Sequence, residues 1–424
     1  MSEEVEVSFP TDGDHRPFGQ RLQDISERLS RKDRLSYNQR LVLLNDLSDS
    51  LLAKRSQLPT NLANAGLGFL LAFLRTSNLS EIVKRQVPNP LALEHFVPLD
   101  GRKSLRILPK GIVCHWIAGN VPLLGMFSWA ISALLGNVNV IRISSKQNDL
   151  VSPLLCELSN LSTDGRLLAE ETLLACFDRN NRSAHEQMSR IADVRIAWGG
   201  HEAIEAIKTL PCQWKCEDIA LGPRVSLAVI DPQLPNEKYI SRLATDAVFF
   251  DQQACSSPQI VFVKGCFGDP ALDAFVEQFA SAFDQQSAVY PRHRIDFGET
   301  YQIQLDRARV LLEGGRVLRD AQTRWTIALG DRPVPRVHCA NRFIQLIPFE
   351  SFEFVCEHIP DNVQTVITHL SKNDSEQFTE NASRLGVCRF PAPGEGNHFE
   401  VPWDGIPLVS RLTRWVLRTN PQLD

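Results

Sequence analysis

Cys255 sits in the stretch Asp251-Gln252-Gln253-Ala254-Cys255-Ser256-Ser257-Pro258-Gln259, and its setting differs from that of the other nine cysteines in the chain. An apolar helical pattern over residues 237–250 runs into this stretch, and a β-rich run, Ile260-Val261-Phe262-Val263, leaves it. A thiol held between two rigid elements can be aimed at a substrate, and its thiolate is a strong nucleophile. Most cysteines are small buried hydrophobes, and Cys114, Cys156, Cys176, Cys266, Cys339, Cys356 and Cys388 are read that way. Cys212 and Cys216 flank Trp214 without the C-x-x-C spacing of a redox or zinc motif. The side chains around Cys255 are hydrogen-bonding groups, which suits a reactive thiol. Spacing alone leaves the structural role open as well.

Asn120, in Gly119-Asn120-Val121-Pro122, is a second candidate. Its amide either caps the helix that follows or donates a hydrogen bond to an oxyanion formed when a thiolate attacks a carbonyl. Gly199-Gly200 joins a strand to a helix. Glycines there let a phosphate approach the backbone, although a plain tight turn explains them equally and G-x-G-x-x-G is absent. His201-Glu202 and Glu205 lack the second histidine of a zinc-hydrolase helix and read as a solvated face, so no metal site is expected.

Strand and helix signals alternate after residue 110. Ile112–Ile117 reads as a strand, the following fourteen or so residues as a helix ending near Gly136, and Val138–Ile143 as a second strand. Strands follow at Leu173–Phe177, Val194–Trp198, Val225–Ile230, Arg342–Ile347 and Val363–Ile367. Asp269-Pro270 starts a long helix as N-cap and first-turn residue. The first hundred residues are mostly helical in pattern, with stripes at Leu41–Leu52 and Leu67–Leu74, and Leu408–Leu417 reads as a closing helix. The class is α/β with parallel sheets.

The 424 residues allow two or three domains. With 43% hydrophobic and 22% charged residues and a formal charge of -5, no basic face for nucleic acid is expected. Residues 111–141 carry no Asp, Glu, Lys or Arg. The breakers Gly119-Asn120, Pro122 and Gly136-Asn137 divide them into buried sheet elements rather than a membrane span. The acidic start, Met1 to Glu6, lacks signal-peptide character, and scattered cysteines fit a reduced setting, so a cytoplasmic location is expected.

Leu108-Pro109-Lys110-Gly111-Ile112-Val113, Gly119-Asn120-Val121-Pro122, Trp198-Gly199-Gly200, the Asp251–Gln259 stretch and Trp403-Asp404-Gly405 together resemble the LuxC-type acyl-CoA reductases of the aldehyde dehydrogenase superfamily. The resemblance covers roughly residues 95–420. It implies a Rossmann-type cofactor domain with a helical N-terminal region over 1–223 and an α/β catalytic domain over 224–395. A segment over 396–424 would return to the cofactor domain or a dimer interface. It implies that Cys255 becomes acylated, and that Asn120 and the Cys255 backbone N–H form the oxyanion hole. Arg142 stands where a lysine usually contacts the adenine ribose, and Gly199 and Gly200 stand where the pyrophosphate approaches a helix.

Two departures carry information. Ala220, in Ala220-Leu221-Gly222-Pro223, replaces the glutamate that activates water in ordinary aldehyde dehydrogenases, and general base catalysis supplies roughly 10² to 10⁴-fold. An acyl-enzyme spared from water can be reduced. The acid that would hold an NAD ribose is replaced by Ser145. With Ser144, Arg142 and Lys146 nearby, the site suits a 2′-phosphate and hence NADPH. The expectation is an NADPH-dependent reductase turning an acyl-CoA or acyl-carrier-protein thioester into an aldehyde through acyl-Cys255. A homodimer and an acyl-transferring partner enzyme are expected. The alternatives are an oxidative aldehyde dehydrogenase and a silent acyl-carrier-binding scaffold.

Overall fold

The computed structural model describes residues 5–10, 16–31, 33–59, 62–117, 123–145, 148–235, 238–292, 297–334 and 341–419. The chain divides into two compact units, Met1–Gly222 with Phe399–Asp424, and Pro223–His398.

The first unit is built on β1 (Glu6–Phe9), β4 (Ile112–Trp116), β5 (Val138–Ser144), β6 (Thr172–Phe177), β7 (Val194–Trp198) and β8 (Glu217–Leu221), with β2 (Val97–Asp100) and β3 (Lys103–Pro109) in a separate sheet. The six-stranded order is β1-β6-β5-β4-β7-β8. All pairs are parallel except β1 on β6. Every residue of β4 and β7 is buried, the signature of parallel strands covered on both faces. Strand order reverses at β4, which pairs with β5 on one side and β7 on the other. Open parallel sheets bind ligands at the carboxyl ends of the strands beside such a switch point.

Helices α1 (Phe18–Glu27) and α2 (Tyr37–Ala53) belong to this unit. Phe18, Leu22 and Ile25 of α1 join the core cluster of Trp116, Val140, Ala175 and Phe177. A reciprocal Ser36–Gln39 capping box starts α2. Arg40 on α2 is buried and makes a bidentate pair with Glu171 at 2.5 and 2.8 Å, with a further bond to Ala133 O. Helices α3 (Leu124–Leu134), α4 (Arg182–Ile191) and α5 (His201–Lys208) follow β4, β6 and β7 in sequence.

In the second unit α6 (Lys238–Val248) follows β9 (Val225–Ile230) and leads to β10 (Pro258–Lys264); α7 (Pro270–Val289) comes next. Asp269 caps α7 through the N–H of Ala271, and Pro270 occupies its first turn, as the sequence predicts. Further strands are β11 (Arg316–Arg319), β12 (Thr326–Leu329), β13 (Phe343–Phe349) and β14 (Val363–His369). The order is β11-β12-β13-β10-β9-β14, parallel except at β11. One face packs Leu243, Phe275, Phe279 and Phe283, and the other packs Val355, Phe378 and Val387.

The closing helix expected over Leu408–Leu417 is overturned. Only Leu408–Arg411 is helical, and β15 (Thr413–Thr419) pairs antiparallel with β3. Thr413-Arg414-Trp415-Val416 is β-branched and aromatic, and the unpaired edge of β3 supplies hydrogen bonds that a helix would forgo. The N-terminal hundred residues are mostly helical, as their pattern predicts, and add the short strands β1 and β2. Among the described residues no helix is long and apolar enough to cross a membrane, and no group of three or more metal-ligating side chains occurs.

Candidate active site

The switch point of the first unit opens into a cavity of about 600 Å³, within the range of roughly 300–1,000 Å³ usual for small-ligand sites. Trp116 and Ile117 line it from the end of β4, Arg142 and Ser144 from β5, and Trp198, Gly199 and Gly200 from β7. Arg179, Arg182 and His185 close another side, and Ala203 and Ala206 of α5 another. A methyl group added at Gly200 would meet no atom within 4 Å, so it would project into open space. Gly200 is also the N-cap residue of α5, which begins without a side-chain cap. Backbone N–H groups at such a terminus favour an anion.

Of the six expected cofactor contacts, Arg142, Ser144, Gly199 and Gly200 line this one cavity. Ser145 is exposed and does not line it, and Lys146 lies outside the described residues. Arg142 is buried and already engaged. Its Nη2 donates to Phe177 O at 2.8 Å, and its guanidinium lies 5.4 Å from the centre of the Phe177 ring.

Residues that sequence reasoning passed over complete the cavity. Trp116 Nε1 donates to His185 Nδ1 at 2.9 Å. Burial and the positive charge of Arg142 push His185 down to about 4, so its imidazole is neutral at physiological pH. Arg179 and Arg182 are exposed at the rim, Arg182 paired with Glu186 at 2.8 Å. The signal was present, because Arg179 falls in the loop just past the carboxyl end of a parallel strand and Arg182 opens the helix that follows.

In the second unit the structure places Cys255 between α6 and β10, half-buried. Its loop begins with three consecutive non-glycine residues in the left-handed region, Phe250, Asp251 and Gln252, at φ 58°, 53° and 61°. Each such residue costs about 1–2 kcal/mol. Specific bonds offset this. Gln252 Nε2 donates to Pro258 O at 2.8 Å, and Asp251 pairs with the buried Arg342 at 2.8 Å and with Arg292 at 3.7 Å. Burial lowers Arg342 to about 10 against the opposing pull of Asp251. Ser226 Oγ donates to the Cys255 carbonyl at 2.6 Å, and Ser256 Oγ donates to Asn397 Oδ1 at 2.7 Å.

Asn120 lies outside the described residues, as does Cys339. No disulfide joins the nine described cysteines. Cys114 is buried, but Cys266 and Cys388 are exposed, contrary to their reading as buried small residues. Burial pushes the Cys216 thiol up to about 12. Ala220 lies on β8, half-buried against the core of the first unit.

Residues 28–415 match the family described as acyl-CoA reductase (LuxC). The chain belongs to that family. This LuxC-family chain is an enzyme of the acyl thioester reductase class with an aldehyde-dehydrogenase-like fold. It is 27% identical over 357 residues to the long-chain acyl-protein thioester reductase of Aliivibrio fischeri, covering 81% of this chain and 71% of that protein. Among solved structures it resembles aldehyde dehydrogenase 21 of Physcomitrella patens, with TM-score 0.68, 14% identity and 99% of each chain covered. It also resembles the glyceraldehyde-3-phosphate dehydrogenase of Methanocaldococcus jannaschii complexed with NADP, with TM-score 0.65, 16% identity, and 95% and 94% covered. At these identities the structural likenesses show the fold.

Proposed function

We propose that this LuxC-family enzyme reduces an acyl thioester to an aldehyde with NADPH, through a thioester on Cys255. The observation that carries this reading is the Cys255 loop. A half-buried thiol follows three residues held in an unfavourable backbone conformation by a buried hydrogen bond and an ion pair. Strain retained in this way is characteristic of functional loops.

The Cys255 thiolate attacks the acyl carbonyl carbon, forming a C–S bond as the carbonyl electron pair moves onto oxygen. The Cys255 backbone N–H and Asn120 donate to that oxyanion. Its collapse breaks the bond to the donor thiol, which leaves and takes a proton. NADPH, when bound, supplies the hydride that reduces the acyl carbon. Expulsion of the Cys255 thiolate from the resulting thiohemiacetal then frees the aldehyde.

Within the first unit the cofactor's adenosine half fits the cavity. Trp116, Trp198, Ala203 and Ala206 offer apolar surface, and Gly200 leaves room for phosphate at the start of α5. Ser144 offers no carboxylate to repel a 2′-phosphate, while Arg179 and Arg182 bring positive charge to the same rim. Ala220 supplies no base for hydrolysis. The Aliivibrio fischeri relative is a long-chain acyl-protein thioester reductase, which favours an acyl carrier or acylated partner enzyme as donor. A cytoplasmic homodimer remains part of the proposal.

The test is product analysis with acyl-CoAs of graded chain length plus NADPH. Aldehyde from the wild type and none from Cys255→Ala is expected. Aldehyde from both at similar rates would overturn the proposal.

A further inference from the structure

The side chain of Ser226 comes from the strand beside the nucleophile loop and reaches the main chain of Cys255 itself. Ser226 is fully buried on β9, and its hydroxyl donates to the Cys255 carbonyl at 2.6 Å. On the other side of the same peptide, Ser256 Oγ donates to Asn397 Oδ1 at 2.7 Å. Asn397 is held in turn, because its Nδ2 donates to Asp246 O on α6 at 2.9 Å. The glycine-rich turn carrying Asn397 is fastened to the same residue, with Gly394 N–H donating to the Asp246 carboxyl at 2.6 Å. Ser256, Asn397 and Asp246 are all buried. The turn ends just before the second unit does, so strand, loop, turn and helix all belong to one unit.

We infer that Ser226 and Asn397 are positioning residues for acyl transfer, fixing the peptide on the carboxyl side of Cys255 so that its backbone N–H points at the developing oxyanion. This deepens the proposed function and rests on it. Ser226 sets the direction of the Cys255 carbonyl, and Asn397 sets the Ser256 side chain that follows. The peptide before Cys255, which carries its N–H, is held as well, because Ala254 O accepts from Ser257 N–H at 3.0 Å, so the two planes flanking the Cys255 Cα are tied together and the N–H keeps a set direction. An oxyanion donor contributes only when its direction is set beforehand, and loss of one such donor typically costs about 10² to 10³-fold. A misaimed donor costs less, about 10- to 100-fold.

Two reactions of the same thiol separate positioning from general integrity. Alkylation by iodoacetamide displaces iodide from a saturated carbon and needs no oxyanion donor. Acylation by an acyl-CoA does. Ser226→Ala and Asn397→Ala are therefore compared with wild type for both rates at Cys255, followed by mass spectrometry of the peptide that contains Cys255, without NADPH and with Ser256→Ala as a further variant. Thermal unfolding is recorded for each. The expected result is acylation slowed by about 10- to 100-fold with alkylation within about threefold. Acylation at the wild-type rate in folded Ser226→Ala and Asn397→Ala would overturn the inference and leave the proposed function standing. Parallel loss of both reactions would also overturn it, showing that the residues hold the fold and not the donor. A wild-type protein that is alkylated at Cys255 but never acylated would overturn the proposed function and this inference together.

Discussion

The guanidinium of Arg142 donates from Nη2 to the carbonyl of Phe177 at 2.8 Å, tying the end of β5 to the end of β6. One nitrogen of the residue that resembles a ribose contact is thus held by the sheet, while the residue still lines the cavity. Its partner strand leads, two residues later, to Arg179 at the cavity rim. Under the proposed NADPH reading, Arg179 is a further cation for the 2′-phosphate, one that the resemblance does not indicate.

Arg179→Ala should raise the KM for NADPH by about 10-fold or more, since a hydrogen bond to a charged group contributes about 1.5–3 kcal/mol. The KM for NADH should stay within about twofold. Steady-state kinetics with both cofactors check this, and equal effects on the two would remove Arg179 from the phosphate site.

Glu171→Gln should destabilise the protein by about 3–5 kcal/mol, because it leaves the buried Arg40 charge without its bidentate partner. Urea unfolding at neutral pH measures the loss. A change under about 1 kcal/mol would mean that the pair is not a structural anchor.

His115 is fully buried between Ser128 Oγ at 3.1 Å and Asn139 Oδ1 at 3.0 Å, and burial depresses it to about 4 from 6.5. The unfolded chain then binds the proton that the folded chain refuses, so this contribution to stability falls as pH drops from 6.5 towards 4. The total is about 3 kcal/mol. Asp246 has the opposite sign. Burial raises it to about 7 from 3.8 against the pull of the Gly394, Gly396 and Asn397 N–H groups, so its contribution falls as pH rises through that window. Denaturation at pH 4.5, 6 and 8 of wild type, His115→Gln and Asp246→Asn separates the two. Relative to wild type, Asp246→Asn should gain stability with rising pH, and His115→Gln should gain it with falling pH.

Particular elements show why some of this was legible in the sequence. β4 and β5 announce themselves because parallel strands buried on both faces read as largely apolar, β-branched runs, here broken only by His115, Asn139, Arg142 and Ser144. Asp269-Pro270 announces α7 because capping is local. The run after Leu408 misled because four helical residues lead into a strand whose pairing with β3 is a long-range choice. Cys255 stood out by its polar neighbours. Ser226 and Asn397 could not, since they lie 29 residues before Cys255 and 141 after Ser256, and only the folded sheet and turn bring them to the loop.

The most direct test of the central claim is mass spectrometry of the wild-type protein incubated with a long-chain acyl-CoA in the absence of NADPH, followed by NADPH addition. The account predicts one acyl group on the peptide containing Cys255 and its discharge as aldehyde when NADPH is added. An unmodified Cys255, or discharge as free acid, would contradict it.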